Sequence, residues 1–411
     1  MCELDLTFVC DCTGSMGSYI HSAQQNIENI INKIIQLEKC DVRFALVEYR
    51  DHPPQDNSFN VRLTNFTDSM REIKNAVNQM RAGGGGDEPE SVCCAFKTAV
   101  DLEWRNNATK IIVWIADAPP HGMSIDSGDG FPNGCPCGND TLVEARRCAQ
   151  KDILVYAVGT EPLSYGYLRT FMRVVAQITN GEYVSLTSAN LLADLIVNGC
   201  REEIQIKKVV DTVKNELNND PSFKQLSEKD QQQKIQEKVE EQSKTVKLHT
   251  TIVDNAFTEP LPKVPGIFFD CKDVKAFREI CRKNKDIYVN LVNIYYNNYV
   301  PYDYDKYHDF VDYDDEKESE KSSESFELCE CIKTRTARTA RKGSCTKSYS
   351  LKKKSKRKEM EKKECLKTCS ESVVPHEQKI TSELQSLNSH QQEKIYSRIC
   401  NFFSIDTNSS K

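Results

Sequence analysis

The sequence predicts an α/β protein: a doubly wound, mostly parallel sheet, followed by a helical and partly disordered C-terminal region. Three observations carry that expectation. Residues 4 to about 200 alternate short apolar runs with amphipathic stretches, the pattern of strands covered by helices on both faces. The polar clusters of this region sit at the carboxyl ends of the apolar runs, where open α/β sheets place their ligand sites. Beyond residue 204 the apolar signal thins and charged residues dominate.

The predicted strands are Leu4 to Cys10, Val42 to Tyr49, Ile111 to Ala116 and Ile153 to Val158, with a weaker one at Tyr183 to Leu186 and an edge strand at Val61 to Phe66. Ile20, Ala23, Ile27, Ile30, Ile31 and Ile34 recur at helical spacing after the first strand. Met70, Ile73, Val77 and Met80 do so after Asp68, which is placed to cap that helix. The glycine-rich stretch Gly83 to Ser91 joins two helices on the rim that also carries Asp11 and Asp117.

At 411 residues the chain has room for two or three domains, and 38% hydrophobic composition suffices for at least one core. The organisation expected is a sheet domain over 1–204 and a solvated helical linker over 205–247, broken at Asp220-Pro221. A small domain of unnamed type follows over 248–300, then an acidic and then basic disordered segment over 301–370, and a helical tail, of coiled-coil type, over 371–411. A net charge of -6 argues against a surface that coats nucleic acid throughout. No apolar run is long enough to span a bilayer.

The chain holds 18 cysteines, but its start, Met1 to Asp5, shows neither a basic n-region nor an apolar h-region. The expectation is therefore a cytoplasmic protein, with the nucleus as a further address, whose thiols are reduced and whose sequons at Asn65, Asn107 and Asn139 go unused. Cys10, Cys12, Cys93 and Cys94 read as small core hydrophobes.

The chemistry concentrates in Asp11, Thr13 and Ser15. Two residues apart in a loop, they offer one carboxylate and two hydroxyl oxygens to a common point. Such hard oxygen donors suit Mg2+, with Mn2+ or Ca2+ as substitutes. Asp117 from a second strand end and Glu90 or Asp87 from the glycine-rich loop supply further segments. The alternative for Asp11 and Ser15 alone is to cap the following helix.

On these residues the region from 4 to about 200 resembles a von Willebrand factor A domain with a metal-ion-dependent adhesion site. "DCTGS" is similar to the D-x-S-x-S element, with Thr13 keeping the hydroxyl of the first serine. "DEPE" (Asp87 to Glu90) and "DAPPH" (Asp117 to His121) are similar to the second and third loops of integrin β A-like domains and of protist von Willebrand alpha-kinases. The resemblance implies metal ligation by Asp11, Thr13, Ser15 and Asp117, with Glu90 favoured over Asp87 on the second loop. Gly17, Ser18 and Tyr19 replace the aspartates of the neighbouring integrin site, so no adjacent calcium site is expected.

Other motifs point away from catalysis. The chain has seven histidines and lacks H-E-x-x-H, G-x-S-x-G and a phosphate-cradling glycine loop followed by Lys-Ser/Thr. His121 reads as loop packing beside Asp117 rather than as a base. Cys135 and Cys137, with no histidine near them in sequence, read as part of a surface loop rather than a zinc set. In the tail, Cys365 and Cys369 carry the C-x-x-x-C spacing of the zinc module of alpha-kinases, beside Cys329, Cys331 and Cys345. Lys333 to Lys367 holds fifteen Lys or Arg against three Glu, densest over Lys352 to Lys358, and suits contact with a polyanion or a nuclear address. The function expected is a non-enzymatic adhesion or scaffold module that binds an acidic residue of a partner protein through Mg2+. The alternative is an accessory or divergent relative of A-domain-containing alpha-type protein kinases.

Overall fold

The computed structural model describes residues 2–36, 40–124, 128–161, 163, 166–186, 188–254, 263–283 and 378–405. Its main sheet contains β1 (Glu3–Asp11), β2 (Asp41–Tyr49), β3 (Val61–Thr67), β4 (Thr109–Ala116), β5 (Ile153–Thr160) and β6 (Tyr183–Leu186) in the order β3-β2-β1-β4-β5-β6. Edge strand β3 is antiparallel to β2, and the other pairings are parallel. All six strands lie where the sequence places them, five of them lengthened by one or two residues and β6 with the bounds expected. The helices that accompany the sheet are α1 (Gly17–Gln36), α2 (Met70–Gln79), α3 (Val92–Val100), α4 (Thr141–Gln150), α5 (Gly166–Ile178) and α6 (Leu192–Asn218).

Period-2 alternation divides the core into two layers. On one face Leu4, Leu6, Phe8 and Cys10 of β1 and Ile111, Val113 and Ile115 of β4 pack under Ile20, Ile30, Ile31 and Ile34 of α1 and Leu195 and Ile196 of α6. On the other, Val9, Ile112, Trp114 and Ala116 pack against Phe96 of α3 and Phe171 of α5. The Trp114 and Phe96 rings meet edge to face at 5.0 Å. Burying both faces explains why these strands read as continuous apolar runs.

The cap of α2 is corrected by one residue. Ser69, not Asp68, holds the N-cap, and its side chain accepts from the Glu72 backbone N–H. Ile73, Val77 and Met80 are buried as their spacing predicts, while Met70, at the first helical position, is exposed. The expectation of uniformly reduced thiols meets one exception: Cys2 and Cys40 are joined by a disulfide that ties the start of β1 to the entry of β2. The other cysteines among the described residues are free, and all but Cys137 are buried.

Beyond residue 204 the structure departs most from the sequence expectation. The boundary falls inside α6, which runs unbroken to Asn218. Residues 205–247 are not a solvated linker. Ile206, Val210, Val213 and Leu217 of α6, Phe223, and Ile235 and Val239 of α7 (Glu228–Thr245) share a core with Ile395, Ile399 and Cys400 of the C-terminal helix α9 (Ser389–Phe403). The break at Asp220-Pro221 does separate α6 from α7.

Of the small domain expected over 248–300, the described residues, 248–254 and 263–283, do not pack as a unit of their own. Strand β7 (Lys247–Val253) pairs antiparallel with β8 (Ile380–Ser386), while Val274, Phe277 and Cys281 of α8 (Val274–Lys283) join the sheet's second core, Phe277 stacking edge to face on Phe171 at 5.1 Å. The tail thus contributes a strand as well as a helix. Helix α9 is fastened by buried charge: Lys394 pairs with Glu203 and Glu182, and Arg398 with Asp152 and Glu203. The acidic and basic blocks within 301–370 lie outside the described residues, as do the tail cysteines.

Candidate functional site

Strand order reverses between β1 and β4, and the rim at their carboxyl ends is where the polar residues gather. Cys10 faces Ile115 in the parallel register, so Asp11 and Asp117 leave the sheet side by side. Asp11 is fully buried, and its Oδ1 accepts from the Thr13 N–H at 2.9 Å and the Thr13 hydroxyl at 2.6 Å. This turn, rather than a helix cap, is what Asp11 forms, and it brings Thr13 Oγ1 to 3.4 Å from Ser15 Oγ. Ser15 in turn hydrogen-bonds Asp117.

The glycine-rich loop closes over this turn. Gly84 and Gly85 both adopt positive φ (+76° and +81°), a conformation other residues rarely take. A Cβ on Gly85 would lie 2.8 Å from Glu90 Oε1 and 3.4 Å from Thr13 Cγ2, so the loop presses Glu90 against the Asp11 turn. Glu90 is fixed there by its backbone: its N–H donates to Pro119 O at 2.8 Å, and the next N–H, of Ser91, donates to Arg50 O at 2.9 Å. Its side chain is thereby carried between the ends of β2 and β4.

The electrostatics are those of crowded carboxylates. Burial, then Asp117, push the Asp11 carboxyl up to about 8, against the lowering effect of the Thr13 hydrogen bonds. Burial, then Asp11, Asp51, Asp117 and Asp87, lift Glu90 to about 11. Asp11 Oδ2 and Glu90 Oε2 are buried without a hydrogen-bond partner. Orphaned buried acceptors of this kind are costly unless something fills them.

Asp87 stands apart from this group. It lies with Asp51 and His121, and its Oδ2 accepts from the Gly130 N–H. Burial and Asp51 raise it to about 6. His121 is clamped between Asp51 (2.5 Å) and Asp129 (2.9 Å). Burial works against its charge, but Asp129 and Asp51 prevail and raise it to about 9, so at neutral pH it is an imidazolium that holds the rim loops together. The structure therefore gathers Asp11, Thr13, Ser15, Glu90 and Asp117 and sets Asp87 to one side. Asp51 and Asp129, absent from the sequence expectation, complete the neighbourhood. Asp51 follows β2 as Asp11 follows β1, a positional cue present in the sequence.

Residues 5–127 match the family model of the von Willebrand factor A domain. With the six-stranded fold around them, they make this part of the chain an A domain. Among curated relatives, the chain is 34% identical over 137 residues to an alpha-protein kinase of Dictyostelium discoideum, covering 33% of this chain and 22% of the kinase. It is 28% identical over 193 residues to a protein of Acanthamoeba polyphaga mimivirus described as an ariadne-like RING finger protein, covering 46% and 18% respectively. The chain thus spans about a fifth of the length of these relatives. Solved structures that resemble it include the pilus adhesin SpaC of Lactobacillus rhamnosus GG (13% identity, TM-score 0.38, 50% of this chain and 31% of that one). Another is a von Willebrand factor type A protein of Catenulispora acidiphila (14% identity, TM-score 0.36, 50% and 43%). Among the described residues no helix is long and apolar enough to cross a membrane.

Proposed function

We propose that the A domain is a metal-dependent protein-binding module, not an enzyme, and that it captures a carboxylate of a partner protein through a divalent cation at the β1/β4 rim. The observation that carries this reading is the pair of orphaned buried oxygens, Asp11 Oδ2 and Glu90 Oε2, in a cluster where the charges that act on Glu90 are all carboxylates. A cation of charge two inverts the local electrostatics and turns mutual repulsion into ligation. The donors are all oxygens, which suits Mg2+ or Mn2+. Asp11, Ser15, Thr13, Asp117 and Glu90 are the residues that would hold it, directly or through water. The cation would supply a Lewis-acidic position facing solvent for a partner's carboxylate.

The residues of this chain do the positioning. Thr13 orients Asp11, Ser15 orients Asp117, and the Gly84-Gly85 turn seats Glu90. Titration calorimetry of the full chain with Mg2+ should give one site, absent in Asp11→Ala and Asp117→Ala. Proteins retained on the immobilised chain in Mg2+ should elute with EDTA. Unchanged Mg2+ affinity in both variants overturns the assignment.

A further inference from the structure

Residues 128–140 form a loop of thirteen residues that includes Gly128, Gly130, Gly134, Gly138, Pro132 and Pro136. Cys135 is its one residue buried overall, and the half-buried Phe131, edge-on to His52 at 5.6 Å and to His121 at 4.9 Å, is its other apolar anchor. The loop nevertheless follows a defined path, with Gly134 and Gly138 at positive φ and the Gly138 N–H returning to Cys135 O at 2.9 Å. That turn sets the Cys135 and Cys137 side chains toward Cys94 of α3 and His52, three residues beyond β2.

The distances among these groups are informative. Cys94 Sγ lies 3.4 Å from Cys135 Sγ, and His52 Nε2 lies 3.7 Å from Cys94 Sγ and 3.4 Å from Cys135 Sγ. With Cys137 Sγ, all four ligand atoms fall within 4.8 Å of one another. A tetrahedral zinc ion with Zn–S near 2.3 Å and Zn–N near 2.0–2.1 Å requires S···S edges of about 3.8 Å and N···S edges of about 3.6 Å. Three thiols and one imidazole are a complete structural zinc set. We propose that His52, Cys94, Cys135 and Cys137 bind a structural Zn2+ that staples the 128–140 loop to β2 and α3.

The residues around the set can hold it in its ligating state. His52 would coordinate through Nε2, which obliges Nδ1 to carry its proton and donate it. The neighbour of Nδ1, at 3.0 Å, is the amide of Asn60, whose Oδ1 is buried with no hydrogen-bond partner. Turning the Asn60 amide over would bring its Oδ1 to Nδ1, where it can accept the Nδ1–H that ligation through Nε2 requires. Asn139 Nδ2 adds a hydrogen bond to Cys94 Sγ at 3.2 Å, a contact that stabilises sulfur as a thiolate. Cys93 lies next to the set but is turned to the Thr141 hydroxyl at 3.3 Å.

This site differs from the rim in chemistry, being soft where the rim is hard, and stands or falls without it. The full chain, purified in reducing buffer with zinc present and dialysed against excess Mg2+, should retain one zinc per chain by elemental analysis. Replacing zinc with Co2+ should produce the visible d–d bands and near-ultraviolet thiolate charge-transfer bands of tetrahedral thiolate ligation. Cys137→Ser, at the exposed position, should fold as the parent by circular dichroism yet weaken the charge-transfer band and lower zinc affinity. Asn60→Ala should weaken zinc about 10–100-fold by freeing the imidazole. Asp11→Asn, at the rim, should leave the zinc count unchanged. A chain that holds no zinc under these conditions, a cobalt spectrum without thiolate bands, or a Cys94–Cys135 disulfide found in place of the ion overturns the proposal.

Discussion

Replacing Asp11 with asparagine separates the folding role of the rim from its binding role. The carboxyl is fully buried and raised from 3.8 to about 8, so at pH 7 the folded state holds it protonated against its unfolded preference. Each unit between 3.8 and 7 costs about 1.4 kcal/mol, which sets a ceiling of about 4 kcal/mol. Asparagine keeps the oxygen that accepts from Thr13 and presents an amide to the neighbouring carboxylates. Burial of that amide takes back part of the gain and leaves about 1–3 kcal/mol in favour of the variant. At about 2 °C per kcal/mol for a chain of this size, the metal-free Tm should rise by about 2–6 °C. The deficit of the parent is absent below about pH 3.8, grows as pH rises and levels off above about 8, because the folded pKa lies above the unfolded one. The Tm difference between the two proteins should therefore widen across that window. Mg2+ at 100-fold its Kd stabilises a binding chain by about 2.7 kcal/mol, and the variant should lose this increment. Differential scanning fluorimetry with EDTA and with Mg2+ reads both effects. A variant with an unraised metal-free Tm and an intact Mg2+ increment refutes the reasoning.

Two further expectations follow from the geometry and a third from the sequence. Glu90→Gln should weaken Mg2+ binding more than Asp87→Asn in calorimetry, since Glu90 abuts the Asp11 turn and Asp87 lies with Asp51 and His121; the reverse order would move the second-loop ligand to Asp87. Lys394→Met leaves Glu203 with Arg398 at 3.6 Å and the Tyr156 hydroxyl at 2.9 Å but without its ammonium partner, so it should cost about 1–3 kcal/mol in denaturant unfolding and raise hydrogen exchange in α9. Neutralising Lys352, Lys353, Lys354, Lys356, Arg357 and Lys358 together should shorten retention on heparin without altering Mg2+ binding; identical elution from heparin would count against the polyanion contact.

The sheet was legible because β1, β2, β4 and β5 are buried on both faces and therefore write uninterrupted apolar runs such as Leu4 to Cys10. Asp11 and Asp117 were legible for the same reason: each is the first carboxylate after such a run. What escaped were partnerships that only folding creates. Cys135 meets His52 across 83 residues and Cys94 across 41, so neither completes a recognisable spacing. The stretch from 205 to 247 looked solvated because its apolar residues are sparse, yet Ile235 and Val239, one turn apart, anchor α7 against α6 and α9. Strand β8 was missed because Ile380 to Ser386 alternates polar with apolar residues weakly and pairs at one edge of a two-stranded sheet. The Asp68 and Ser69 choice turned on a single residue, a scale at which two adjacent cap formers compete on equal terms.

The return of residues 378–405 to the body of the protein makes the polypeptide between Lys283 and Gln378 a span moored at both ends. Strand β8 is zipped to β7 through seven residue pairs, and α9 is held by the Lys394 and Arg398 ion pairs and by the apolar core it shares with α6 and α7. A protease that cuts anywhere in that span severs the backbone without freeing the C-terminal piece. The nicked molecule should migrate as two bands on a denaturing gel and as one species on a sizing column. A cleavage between Lys283 and Gln378 therefore leaves the A domain still carrying its C-terminal helix.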